Sequence, residues 1–117
     1  MKVLILEDST YRIEHFRKLL KESQATLHIT DNVEDAKNLY KQFKPFDLIF
    51  LDHDLDHKIM VNSNKANTGY QFAKFLSKEN PKGRIIIHSL NIVGANRMLE
   101  EFRGNNIKCE YIPYYLL

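Results

Sequence analysis

A chain of 117 residues with 44% apolar and 27% charged side chains suits one domain with a real core, and excludes a chain disordered throughout. Seventeen basic against fifteen acidic residues leave a net charge of +2, which excludes a strongly polyanion-seeking surface; Lys37, Lys41 and Lys44 read as a solvated helix face. The single cysteine, Cys109, excludes an internal disulfide framework and a cysteine-rich zinc site.

The longest apolar runs, Val3 to Leu6 and Leu48 to Leu51, are too short to cross a bilayer, and Met1-Lys2 leads straight into a strand with no leader pattern. A reducing, cytoplasmic setting is therefore expected.

Residues 2–6 (KVLIL) read as a strand buried on both faces. Ser9 is a good cap for a helix whose apolar face is Ile13, Phe16, Leu19 and Leu20. Residues 26–30 give a second strand. Val33, Ala36, Leu39, Tyr40 and Phe43 give a second helix, ended by Pro45. Residues 47–51 (DLIFL) form a third strand. A polar stretch without periodicity follows to Asn67, read as a cover over a ligand site or as plain disorder, with Lys58 or Lys65 supplying charge. Thr68 opens a helix carrying Phe72, Phe75 and Leu76. Residues 84–87 make a fourth strand. Ala95, Met98, Leu99 and Phe102 mark a fourth helix, stopped by Gly104, and residues 107–112 a fifth strand.

Five strands alternating with four helices predict a single α/β domain over residues 1–117, with helices on both faces of a parallel sheet. The simplest strand order is 2-1-3-4-5, the flavodoxin-like arrangement, which gathers the ends of strands one, three and four at one crevice. Those ends carry Glu7 and Asp8; Asp52, His53 and Asp54; His88, Ser89 and Asn91.

Glu7, Asp8 and Asp52 are hard oxygen donors suited to Mg²⁺ or Mn²⁺. One acid could simply favour the start of the first helix, but that does not account for three. His53 and His88 are the candidate proton carriers or ligands; zinc is the second choice of metal in so oxygen-rich a set. His15 and His28 read as structural, and His57 is ambiguous. Asp54 either orients a histidine or completes the metal shell. Ser89 reads as a nucleophile lacking the usual glycine-flanked elbow, or rather as a catalytic-site hydroxyl that holds a phosphate oxygen or the metal-bound water; Asn91 is expected to do similar work while capping the fourth helix. Thr68 and Gly69 serve as an ordinary helix cap or as phosphate contacts, and Arg97 is a lesser candidate.

The acidic pair after strand one, the aspartate closing strand three and the hydroxyl closing strand four resemble receiver domains of response regulators over nearly the whole chain. That resemblance implies Mg²⁺ at Glu7-Asp8 and a phosphoacceptor at Asp52. Two features depart from it. Tyr111-Ile112-Pro113 offers no lysine before the proline, and Tyr114 to Leu117 is too short for the usual fifth helix.

His53-Asp54-Leu55, Thr68-Gly69 and His88-Ser89-Leu90-Asn91 with Gly94-Ala95 and Met98 resemble more closely the cyclic-phosphate processing receiver domains. The resemblance implies a metal-dependent phosphodiesterase acting on a cyclic nucleotide or a cyclic-phosphate RNA end. In that expectation Glu7, Asp8 and Asp52 hold the ion, His53 and His88 serve as acid and base, and all of them share one pocket. The alternatives are a receiver-like module that binds a nucleotide or partner without turnover, and a phosphoacceptor using Asp52. With no fifth helix, the sheet face beside helix one is expected to be covered by the tail or by a second copy, and a homodimer is expected there.

Overall fold

The computed structural model describes all 117 residues, in the order β1 (Lys2–Leu6), α1 (Thr10–Leu19), β2 (Thr26–Thr30), α2 (Val33–Phe43), β3 (Leu48–Leu51), α3 (Gly69–Glu79), β4 (Arg84–Ile87), α4 (Ile92–Gly104) and β5 (Glu110–Tyr111). Short 3-10 turns span Lys21–Ser23 and Tyr114–Leu116. All neighbouring strands pair in parallel, in the order β2-β1-β3-β4-β5, as the alternation of elements predicts. No helix is long and apolar enough to cross a membrane.

Three of the four helix starts carry a side-chain cap, whereas Thr68 at the start of α3 makes none, against expectation. Ser9 Oγ accepts from Arg12 N at α1, Asn32 Oδ1 from Asp35 N at α2, and Asn91 Oδ1 from Gly94 N at α4. Two ends differ from expectation. Gly104 is the last residue of α4, and the chain turns after it at Asn106, whose φ is 60°. β5 pairs at Glu110 and Tyr111, because Ile107 is drawn into the core and its N–H donates to Phe102 O instead of to a neighbouring strand.

The sheet separates two cores of unequal size. Nineteen buried residues fill the side covered by α2, α3 and α4, whereas Val3, Ile5, Phe16, Phe50 and Ile86 form a cluster of five beneath α1. Leu117 and Ile112 pack on that smaller cluster, so the tail covers part of the face beside α1, while Tyr115 and Leu116 stay outside.

The register positions the strand ends. Leu6 lies beside Leu51 and Leu51 beside Ile87, so Glu7, Asp52 and His88 occupy the next row on three adjacent strands. Side chains alternate along a strand, so this row shares its face with Ile5, Phe50 and Ile86, while His53 faces the larger core.

Candidate functional site

Glu7, Asp52 and His88 are all buried, and their ligating atoms lie within 4.8 Å of one another. Glu7 Oε2 accepts from the N–H groups of Asp8 and Ser9, at 3.0 Å each, and Oε1 lies 2.8 Å from His88 Nε2. Burial pulls His88 down to about 4, so at neutral pH its one ring proton sits on Nε2 and is donated to Glu7. His88 Nδ1 then has no partner, with the Phe16 ring 5.1 Å away.

Burial likewise raises Glu7, and it lifts Asp52 to about 7, the Glu7 carboxylate adding to the rise against the pull of His88 and Arg12. Asp52 Oδ1 accepts from His53 N at 2.8 Å, and Oδ2 lies 3.7 Å from the Arg12 guanidinium. Arg12 sits equally near Glu7 Oε1 and stacks on the Tyr114 ring at 4.9 Å. One cation thus spans two buried carboxylates.

Above this cluster a cleft of about 520 Å³ is lined by Asp8, Arg12, Asp52, His57, Lys58 and Ser89, among others. Asp8 Oδ2 accepts from His57 N at 2.6 Å, leaving Oδ1 open. Asp8 and Asp52 both line the cleft, and Asp8 Oδ1 and Asp52 Oδ2 accept no hydrogen bond; carboxylate oxygens are the donors Mg²⁺ takes together with water and phosphate oxygens, and with the Glu7, Asp52 and His88 group they fit a divalent ion. Glu7, an expected ligand, belongs to the group that could hold an ion, and in this structure its two oxygens and His88 Nε2 are hydrogen-bonded to one another and to the Asp8 and Ser9 N–H groups. A larger groove of about 830 Å³ lies at the opposite sheet edge, near Lys82 and Arg103, away from all these carboxylates.

The histidines are the main correction. His53 does not share a pocket with His88. It is fully buried on the other face, with Nδ1 2.8 Å from Asp54 Oδ1 and Nε2 2.8 Å from Ser63 Oγ. Neither His53 nor His88 lines the cleft, so in this arrangement neither is placed to act on a ligand there as acid or base. The imidazole that does line it is His57, 75% exposed.

Asp54 orients a histidine, the first of its two expected roles. Burial pushes its carboxyl up, but bonds from Asn91, His53, Val61 and Met60 outweigh this and hold it below the usual carboxylate range. Asn91 caps α4, and its amide donates to Asp54 at 3.0 Å, so it holds the protein together and is not free for phosphate. Ser89 lines the cleft and its Oγ accepts from Asn91 N at 3.0 Å, leaving the hydroxyl proton available to a ligand.

Thr68 and Gly69 are not substrate contacts. Thr68 Oγ1 donates to Ser63 O and Lys65 O within the interior, and Gly69 packs so closely that a Cβ there would overlap the Asp52 carbonyl. Gly94 is required in the same way by the His53 ring. The polar stretch after β3 is tied down as well as irregular: Met60 N and Val61 N donate to Asp54, and Asn67 Nδ2 to Asp56. Three of its residues, Asp56, His57 and Met60, have positive φ. Lys58 lines the cleft and Lys65 does not; Arg97 lies in a neighbouring groove.

Two residues of consequence went unread in the sequence. Arg12 had a signal, being the one cation a single turn after the acidic pair. Ser63 had none, standing in a segment with no periodicity.

A family model described as cyclic-phosphate processing receiver domain matches residues 3–104. No curated protein matches the chain. Among solved structures, the N-terminal domain of a response regulator/sensory box/GGDEF protein from Carboxydothermus hydrogenoformans superposes with a TM-score of 0.67 at 20% identity, over 97% of this chain and 82% of its own. The receiver domain of Francisella response regulator 1452 gives 0.70 at 17% identity, over 99% and 85%. The Thermotoga maritima response regulator TrrA, solved in complex with Mg²⁺ and BeF, gives 0.70 at 17% identity, over 96% and 84%. These likenesses show the receiver fold.

Proposed function

The chain belongs to the cyclic-phosphate processing receiver domain family, and from that premise we propose that it opens cyclic phosphodiesters, of nucleotides or RNA ends, at the cleft over Asp52, with Mg²⁺ or Mn²⁺. The observation that carries the reading is that one cleft is lined by the carboxylates Asp8 and Asp52 together with Arg12, Lys58 and Ser89, donors for a cation beside cationic and hydroxyl donors for a phosphate. A relative in the receiver fold, TrrA, was solved with Mg²⁺ and BeF.

Asp8 and Asp52 would hold the ion, which supplies charge neutralisation of the phosphate and a more acidic water. Glu7, fixed by two N–H groups and His88, lies beside Asp52 in the group that would share the ion. Arg12 turns from its two carboxylates toward the phosphate oxygens, where a guanidinium offers paired donors. Ser89 donates its hydroxyl proton to a phosphate oxygen as charge develops. His57, at the cleft wall beside Asp8, carries the proton to the departing oxygen.

The test is incubation of 2′,3′- and 3′,5′-cyclic nucleotides and cyclic-ended RNA with Mg²⁺ or Mn²⁺, read by chromatography. Ring-opened product that disappears with chelator and in Asp52→Asn supports the reading; intact substrate under every condition refutes it.

A second reading is favoured by two observations: neither buried histidine lines the cleft, and Arg12 already balances the two carboxylates. In that case the protein captures the cyclic phosphate without turnover. Calorimetry then shows binding where chromatography shows no product.

A further inference from the structure

On the far side of β3 from the carboxylate cluster, Ser63 Oγ, the His53 ring and Asp54 form a continuous hydrogen-bonded chain, with 2.8 Å at each link. The chain fixes its own protons. Asp54 accepts from Met60 N, Val61 N and Asn91 Nδ2, so it acts as an acceptor, and His53 bears its proton on Nδ1. Nε2 is then left with a lone pair, and Ser63 donates its hydroxyl proton to it. This is the division of labour of a serine–histidine–aspartate nucleophile, which is recognised by geometry and roles whatever the chain order.

The surroundings hold the parts still. The His53 ring lies flush against Gly94, where no Cβ could fit, and Asn91 ties Asp54 to the start of α4. Ser63 is 5% exposed and lies on the wall of a groove of about 360 Å³ with Met60, Asn62, Val93 and Arg97. The N–H of Ser63 donates to no group of the protein, which leaves it free for an oxygen that gains charge.

We propose that Ser63 is a nucleophile, activated by His53 and Asp54, that cleaves carboxylic esters carrying a separate negative charge. Arg97, stacked on Tyr70 at 4.7 Å, is the one cation lining the groove and sets the preference for an anion. A single cation matches one remote carboxylate, whereas serine attack on a phosphodiester would build a dianionic centre with too little charge to balance it.

Ser63 Oγ bonds to the ester carbonyl carbon while its proton passes to His53 Nε2. The bond from that carbon to the alcohol oxygen breaks, and the oxygen leaves with the Nε2 proton. Water then attacks the seryl ester and gives a proton to His53, which returns it to Ser63 Oγ as the acid departs. Ester and water become acid and alcohol, with no other reactant.

The test treats the full chain with a fluorophosphonate in the presence of chelator, which keeps it independent of the cation-dependent reading above. Intact mass and peptide mapping should show one adduct, on Ser63 and on none of Ser9, Ser23, Ser77 or Ser89. Ser63→Ala should lose the adduct, and Asp54→Asn should slow labelling at least about 100-fold with an unchanged circular dichroism spectrum.

Hydrolysis of 4-nitrophenyl hydrogen succinate should then exceed that of the neutral acetate, and Arg97→Gln should raise KM for the succinate about tenfold with kcat kept. An unlabelled native chain, labelling spread over several serines, or labelling that persists only after unfolding in urea would overturn the proposal. Equal rates on charged and neutral esters would overturn its claim on Arg97.

Discussion

Replacing Asp52 by Asn removes a charge that the fold holds at a cost. A carboxyl that titrates at about 7 in place of 3.8 has its ionised form disfavoured by about 4 kcal/mol, the upper bound on what the substitution releases. Asn keeps the side-chain oxygen that accepts from His53 N and occupies nearly the same volume. Part of the release is offset because Arg12 loses a partner, so a gain of about 2–4 kcal/mol is expected where Asp52 is ionised in both states.

The pH dependence follows from the sign. The folded-state value lies above the unfolded one, so the native protein binds the extra proton between 3.8 and about 7, and its stability falls as pH rises through that window. The variant should therefore melt roughly 10 °C higher than the parent at pH 8 and at nearly the same temperature at pH 4. Thermal unfolding followed by circular dichroism across this range, in chelator, measures it. A variant less stable than the parent at pH 8, or one whose gain is the same at both ends, would refute the account of this buried carboxylate. With Mg²⁺ at about 100 times its dissociation constant, the parent should recover about 2.7 kcal/mol that the variant cannot.

Other outcomes can be checked alongside. His88 moves in the opposite sense: with its folded value near 4 against 6.5, stability present above 6.5 is lost as pH falls toward 4, and His88→Gln should flatten that acid limb in urea titrations. Gly94→Ala should cost about 1–3 kcal/mol, because the new methyl must displace the His53 ring, and chemical denaturation should show it. Arg12→Ala should weaken calorimetric binding of a cyclic phosphate at least tenfold while leaving the fold intact. Tyr115 and Leu116 remain exposed beside α1, and we propose a homodimer through that face; light scattering at micromolar concentration should give twice the chain mass, and Leu116→Lys should return it to a single copy.

Most of the fold was legible because its signals are local. Three strands, β1, β3 and β4, are apolar on both faces, and Ser9 and Asn91 cap two helices where their side chains suggest. The exception among the strands is β5, where Ile107 looks like a strand residue and is instead a core residue at the end of a turn. The carboxylate row was legible too, since the ends of β1, β3 and β4 follow from strand order.

Grouping His53 with His88 erred by overlooking strand alternation, which sends neighbouring residues to opposite faces. Thr68 and Gly69 were misplaced for another reason: a helix start looks the same in sequence whether it faces solvent or packs on a backbone. Ser63 meets His53 across ten residues of irregular chain, a contact that no periodicity encodes.

Asp52 and His53 are consecutive, yet they serve compartments separated by the sheet, and the bond from His53 N to Asp52 Oδ1 runs between them. Their common peptide behaves like the pivot of a lever. A rotation of Asp52 that broke this bond would free the amide that carries the imidazole on the other arm. Hydrogen exchange at that one amide would report occupancy of the first compartment to the second.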